Sequence, residues 1–264
     1  TFHHVINNNN SVIIENKLKR INDSYEIDYD NLDTLFARGH KVMILCSPHN
    51  PVGRIWSKEE ISKVIEIAKK HNAFVIIDEI HSDLNISDKK FVSGVDFANI
   101  YENIAICNAP SKAFNLAGLH TSYVIIPSAS LRDAFNKVCE KEFLNSPSVY
   151  GYSATISAYT NGDEWIDEQN KHIRNNYEYL RNFLNEELPS IKVTRLEGTY
   201  LVWLDLSFTK KNTEELLKTL GENGIVCSGG VQFCKDYESF VRFNIACPFD
   251  QLKEGLNRLV KSFK

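Results

Sequence analysis

Four short runs of apolar and β-branched residues punctuate the first half of the chain, each ending in turn or polar residues: Lys41 to Pro48 (KVMILCSP), Ala73 to Glu79 (AFVIIDE), Asn103 to Pro110 (NIAICNAP) and His120 to Pro127 (HTSYVIIP). Helical patterns separate some of them, which predicts an α/β fold with a mostly parallel central sheet and crossover helices. The clearest helix lies between the first two runs. Ser57 stands as its N-cap with Glu60 at the capping-box position, and Ile61, Val64, Ile65 and Ala68 recur on one face. Lys69, Lys70 and His71 close it at the negative end of the helix dipole. Polar residues of interest then fall at the carboxyl ends of strands, the edge where open α/β sheets bind ligands.

After residue 162 the pattern changes. Trp165, Ile166, His172, Ile173, Tyr177, Leu180 and Leu184 recur at helical spacing from Asp163 to Leu188, and Pro189 stops the run. From Ile191 strand-like and helical segments alternate: IKVTRLEGTYLVWLDL, a helix over Thr213 to Glu222, IVCSGG, FVRFNIACP and a last helix from Asp250. The division expected is residues 1–162 as part of a large domain, and 163–264 as a linking helix and a smaller C-terminal α+β domain. The opening is unusual: Thr1 replaces an initiator Met, and NNNNSVIIEN reads as a polar turn leading into a strand in the middle of a domain. A piece of a longer protein is therefore expected.

Composition narrows the function. With 264 residues and 43% hydrophobic content the chain can bury a sizeable core. A formal charge of −4, with lysines spread along the chain, offers no footprint for nucleic acid, so small-molecule chemistry is the expectation. No apolar run reaches the roughly 18 residues that span a bilayer, no signal-peptide pattern is present, and a soluble protein is expected. The six cysteines are scattered without a C-x-x-C pair and read as reduced thiols of a cytoplasmic protein. The eight histidines show no zinc-site spacing, and no metal is expected.

Four positions carry candidate chemistry. Lys112 follows one apolar run and precedes another in ICNAPSKAFNLAGL. A lysine there loses hydration, which favours a neutral nucleophilic amine able to form a Schiff base; alternatively its stem lies along the sheet edge and its ammonium reaches water. Asp78 ends the apolar run of IIDEIH and could pair with a protonated ring nitrogen, or serve as a helix cap or structural ion pair. Asn50, in the turn-rich SPHNPVGRIW, could aim its amide at a phenolic ring oxygen or simply serve the turn. Arg242, in the otherwise apolar VRFNIACP, could fork a carboxylate or face solvent. Taken together these are the parts of a pyridoxal phosphate enzyme.

In that order, SPHNPVGRIW, IIDEIHSDL, APSKAFNLAGL and VRFNIACP resemble the fold-type I pyridoxal phosphate enzymes of the class I/II aminotransferase group, and within it the cystathionine β-lyase branch of MalY/PatB-type C-S lyases; YEIDYDNLD fits as well. The resemblance implies pyridoxal 5'-phosphate as cofactor, Lys112 as Schiff-base lysine and general base, and Asp78 at the pyridine nitrogen. It implies Asn50 as donor to the ring hydroxyl, His81 where aminotransferases carry a tyrosine near that oxygen, Ser111 at the phosphate, and Arg242 at the substrate α-carboxylate. Eight residues after the lysine, where many aminotransferases have a phosphate-binding arginine, stands His120. That departure favours the lyase branch. The implied reaction is β-elimination on cystathionine or a related cysteine S-conjugate, giving thiol, pyruvate and ammonia. The alternatives are an aminotransferase on the same scaffold or a non-catalytic fragment. Members of the family are longer, and the resemblance implies a homodimer and an amino-terminal part with a phosphate-binding loop and a ring-stacking aromatic.

Overall fold

The computed structural model describes residues 2–264; Thr1, where the first expected domain begins, lies outside the described residues. Helix α1 (Phe2–Asn8) opens the described chain, and strands β1 (Lys19–Ile21) and β2 (Ser24–Glu26) pair as an antiparallel hairpin. The strand expected within VIIEN is instead irregular, and among the described residues no strand pairs with it; Val12 is 83% exposed. Helix α2 (Tyr29–Ala37) starts at Asp28, whose carboxylate accepts the Asn31 N–H.

The central sheet holds β3 (Val42–Cys46), β4 (Phe74–Asp78), β5 (Ile104–Asn108) and β6 (Tyr123–Ile125), in that order. β3, β4 and β5 run parallel, whereas β6 is antiparallel to β5. The connection between β5 and β6 contains only a one-turn 3-10 helix, Ala117–Leu119, and no crossover helix that would return the chain for a parallel pairing. Between β3 and β4, helix α3 (Lys58–Lys70) carries the expected reciprocal capping box. It buries Ile61, Val64, Ile65 and Ala68 against the sheet. Each of the three branched side chains stabilises the packing by about 1.5–3 kcal/mol.

Helices α4 (Ala129–Lys141) and α5 (Val149–Asn161), absent from the expected pattern, lead into the long α6 (Asp163–Glu187). The long segment from Ile191 divides into β7 (Lys192–Val193) and β8 (Leu201–Asp205), interrupted where Thr199 adopts φ 75°. Helix α7 (Thr213–Glu222), β9 (Ser228–Gly229), β10 (Phe240–Asn244) and α8 (Phe249–Lys261) follow. The second sheet, ordered β7-β8-β10-β9, is wholly antiparallel.

Two main apolar clusters form. One gathers α2, α3 and β3 to β5. The other gathers α6, β8, β10, α7 and α8, and takes in Leu84, Ile86 and Ala113 from just beyond β4 and β5. The segments that follow the site strands are thereby packed into the second core. No helix among the described residues is long and apolar enough to cross a membrane.

Candidate active site

Asp78 is the last residue of β4, in register with Cys46 on one neighbouring strand and Cys107 on the other. The chain turns there: Asp78 Oδ1 accepts the Ile80 N–H at 3.0 Å. Burial pushes the Asp78 carboxyl above its ordinary range, opposed by the Ile80 N–H, the Cys46 thiol and the charge of Lys112. The carboxylate therefore sits within electrostatic reach of the lysine. Three residues on, the His81 ring is buried, 3% exposed, and its Nδ1 has no hydrogen-bond partner. Its centroid lies 6.0 Å from that of Tyr200, edge-on. Burial, with Lys112 and Arg242 adding in the same direction, pushes its pKa down to about 4, so the imidazole is neutral at neutral pH.

Lys112 lies four residues past the end of β5 in a turn held by Phe114 N–H to Pro110 O at 2.9 Å and Leu116 N–H to Ser111 O at 3.1 Å. Trp165 of α6 donates its indole N–H to the Ala113 carbonyl at 3.2 Å, fixing the residue next to the lysine from the second half of the chain. Lys112 is half-buried and has no hydrogen bond or ion pair among the described residues. Ser111 beside it is half-buried. His120 is exposed, in the left-handed region at φ 49° at the end of the 3-10 turn.

Asn50 occupies a loop that a His49–Arg54 bridge closes, with Gly53 at φ 72° making the reversal. Its Oδ1 accepts from Arg242 Nη1 at 3.1 Å across 192 residues of sequence. With its oxygen so used, the amide directs both N–H donors elsewhere. Arg242 sits in β10 opposite Ser228 of β9, whose Oγ accepts from Nη2 at 3.1 Å, and its guanidinium lies 4.8 Å over the Phe233 ring. Its Nε is buried without a partner. Burial lowers the Arg242 pKa from its usual value, with Tyr200 acting in the opposite direction.

Asn50, Asp78, His81, Lys112 and Arg242 are thus brought to one place, from the ends of parallel strands on one side and β10 on the other. Sequence reasoning missed Tyr200 and Ser228, which touch or flank His81 and Arg242. Tyr200 lies in the strand-like run TYLVWLDL and Ser228 in IVCSGG, but neither run marks its polar residue as one that faces a distant histidine or arginine. Among the described residues no group of three or more His, Cys, Asp or Glu side chains is placed to hold a metal.

The model of aminotransferase class I and II matches residues 1–259. This chain belongs to the class I and II aminotransferase family. Its relatives include cystathionine beta-lyase PatB of Bacillus subtilis, 34% identical over 261 residues that cover 98% of this chain and 67% of that protein. Protein MalY of Escherichia coli is 29% identical over 266 residues, covering 100% and 68%. In three dimensions the chain superposes on the pyridoxal-phosphate-bound C-S lyase of Staphylococcus hominis with a TM-score of 0.92 at 31% identity, covering 99% of this chain and 67% of that one. This family member spans about two-thirds of the length of these relatives.

Proposed function

We propose that this chain is a pyridoxal-phosphate-dependent carbon-sulfur β-lyase acting on cystathionine or a related cysteine S-conjugate and giving thiol, pyruvate and ammonia. The carrying observation is the 3.1 Å Asn50–Arg242 contact set beside a neutral His81 that feels both Lys112 and Arg242. Similarity to PatB, MalY and the staphylococcal C-S lyase supports the choice of reaction.

The residues present fit the cofactor. His81 Nδ1 is a buried polar atom without a protein partner, and the Asn50 amide keeps its N–H donors after its oxygen is engaged. Asp78 would hold the pyridine nitrogen, Asn50 and His81 the ring oxygen, Ser111 the phosphate, and Lys112 the aldehyde carbon. When bound, the cofactor supplies an electron sink for the carbanion formed on loss of the substrate α-proton. The Asp78 carboxylate would hold a proton on that ring nitrogen by charge pairing. Lys112 Nζ takes the α-proton as general base. The net elimination would turn the Cα electron pair left by the α-proton into a Cα=Cβ bond while the Cβ–S pair leaves on sulfur. The sulfur takes up a proton to give the thiol, and addition of water to the released product gives pyruvate and ammonia. Arg242 forks the substrate α-carboxylate and so orients the α-C–H toward Lys112.

The reading includes a homodimer and a cytoplasmic location. All six cysteines are unpaired, which supports the second, and family resemblance supports the first. Mixing the chain with pyridoxal phosphate, reducing with borohydride and mapping the peptides tests the site: the expected result is a pyridoxyl adduct on Lys112, and release of pyruvate from cystathionine that Lys112→Ala abolishes. An adduct spread over surface lysines sinks the site assignment. Turnover that depends on an added 2-oxo acid acceptor sinks the lyase reading in favour of an aminotransferase.

A further inference from the structure

The segment from Leu196 to Tyr200 touches three site-bearing stretches, and one of its side chains, Glu197, has no role in the chemistry above. Glu197 is buried. Its Oε2 accepts from Arg54 Nε at 3.1 Å and from the Ile55 N–H at 2.9 Å, while Oε1 pairs with Lys89 Nζ at 2.7 Å. Arg54, buried as well, donates through Nη2 to Glu60 at 2.8 Å and through Nη1 to the Tyr25 carbonyl, and lies 4.7 Å over the Trp56 ring. The backbone repeats the connection: the Glu197 and Gly198 N–H groups donate to the Gly53 carbonyl at 2.8 and 3.1 Å.

The consequence falls on Asn50. His49 N–H donates to Arg54 O at 2.7 Å and Gly53 N–H to His49 O at 2.6 Å, so the loop that presents Asn50 ends at the residue Glu197 grips. From the same segment, Thr199 N–H donates to Leu84 O at 2.8 Å and Tyr200 O accepts from Ile245 N–H at 3.0 Å. These reach the loop after His81 and the residue following β10. Buried ion pairs are weak devices for stability, since desolvation offsets much of their attraction. A planar guanidinium gripped on all its edges does set orientation.

We propose that Glu197 is a positioning residue for recognition of the substrate α-carboxylate. By gripping Arg54 and Ile55 it holds Asn50 Oδ1 on Arg242 Nη1, so that the guanidinium is oriented before the substrate arrives. The inference rests on the reading of Arg242 as the carboxylate-binding residue of a pyridoxal phosphate enzyme.

Its test separates carboxylate recognition from folding. The chain loaded with pyridoxal phosphate is titrated with L-alanine and with ethylamine, which lacks a carboxylate, and the cofactor's absorbance change is followed. Glu197→Gln keeps an acceptor for the Ile55 N–H and removes the negative charge that faces Arg54 and Lys89. It is expected to weaken alanine binding about tenfold, the scale of one hydrogen bond to a charged group, and to leave ethylamine within twofold. Arg54→Lys, which keeps the charge and gives up the fork, is expected to show the same split. An equal loss for both amines, or no loss for either, in the two variants overturns the proposal. No absorbance change with either amine in the unaltered chain overturns the cofactor reading itself, and this inference with it.

Discussion

Buried titratable residues around the site determine how the protein responds to acid. His49 and His81 are both pushed down to about 4, chiefly by burial. The folded state therefore binds fewer protons than the unfolded state between pH 4 and 6.5, and the stability these two neutral rings contribute is lost as pH falls through that window. Glu79 works against them. Buried at the strand end beside Asp78, and held by Gly94 N–H at 2.6 Å and Ser93 Oγ at 2.8 Å, its carboxyl is pushed up to about 7 by burial. Its contribution is fully present below the unfolded value near 4.5 and is lost as pH rises toward 7. Removing that titration in Glu79→Gln is expected to steepen the rise in stability between pH 5 and 7, measured as denaturant midpoints at each pH. An unchanged slope refutes the assignment of Glu79 as a buried, protonating acid. Asp78 and Glu79 were equally visible as a pair of letters, but only the pleat sends one toward Lys112 and the other into the Ser93–Gly94 turn.

Local patterns announced some elements and not others. The helix after Ser57 was legible because its cap, its apolar face and its basic last turn all agree, and the observed capping box satisfies the first turn within a few residues of sequence. Ser57→Ala is expected to cost about 1 kcal/mol. Glu60→Ala is expected to cost at least about twice that, because the Glu60 carboxylate both caps the helix at the Ser57 N–H and pairs with buried Arg54. Equal losses in chemical denaturation would show that Glu60 acts as a cap alone. Helices α4 and α5 went unread for the converse reason. α5 buries only Gly151 and carries no apolar stripe, whereas α4 does repeat Leu131, Phe135, Val138 and Cys139 at helical spacing but leaves that face unburied, with Phe135 and Val138 exposed. The direction of β6 was also hidden, since a short apolar run is compatible with either pairing and the connection alone decides it.

Across the whole molecule, contacts between distant segments fix how the two halves of the site meet. Trp165 on the Ala113 carbonyl, Asn170 on the Asp83 carbonyl at 2.8 Å and Arg54 on Glu197 each join residues more than 50 positions apart. Large apolar side chains remain exposed on the surface formed by α4, α5 and the turn between them: Phe143 is 89% exposed and Leu144 71%. Such a patch lowers solubility. Phe143→Asp with Leu144→Asp is expected to raise the solubility limit and change folding stability by no more than about 0.5 kcal/mol. A marked drop in thermal midpoint would show that these residues are packed in solution.

By itself the sequence determined the α/β class, the capped crossover helix, the long helix from Asp163 and the motifs that carry Asn50, Asp78, Lys112 and Arg242. Those features are written in neighbouring residues, through periodicity, caps and turn chemistry, and so survive in a one-dimensional reading. Tertiary structure alone decided that Asn50 meets Arg242, that His81 is buried and neutral, that Ser228 and Tyr200 attend the guanidinium and the imidazole, and that Glu197 locks the loop. These depend on side chains far apart along the chain, and a hydrogen bond between residues 50 and 242 leaves no mark on the local pattern of either.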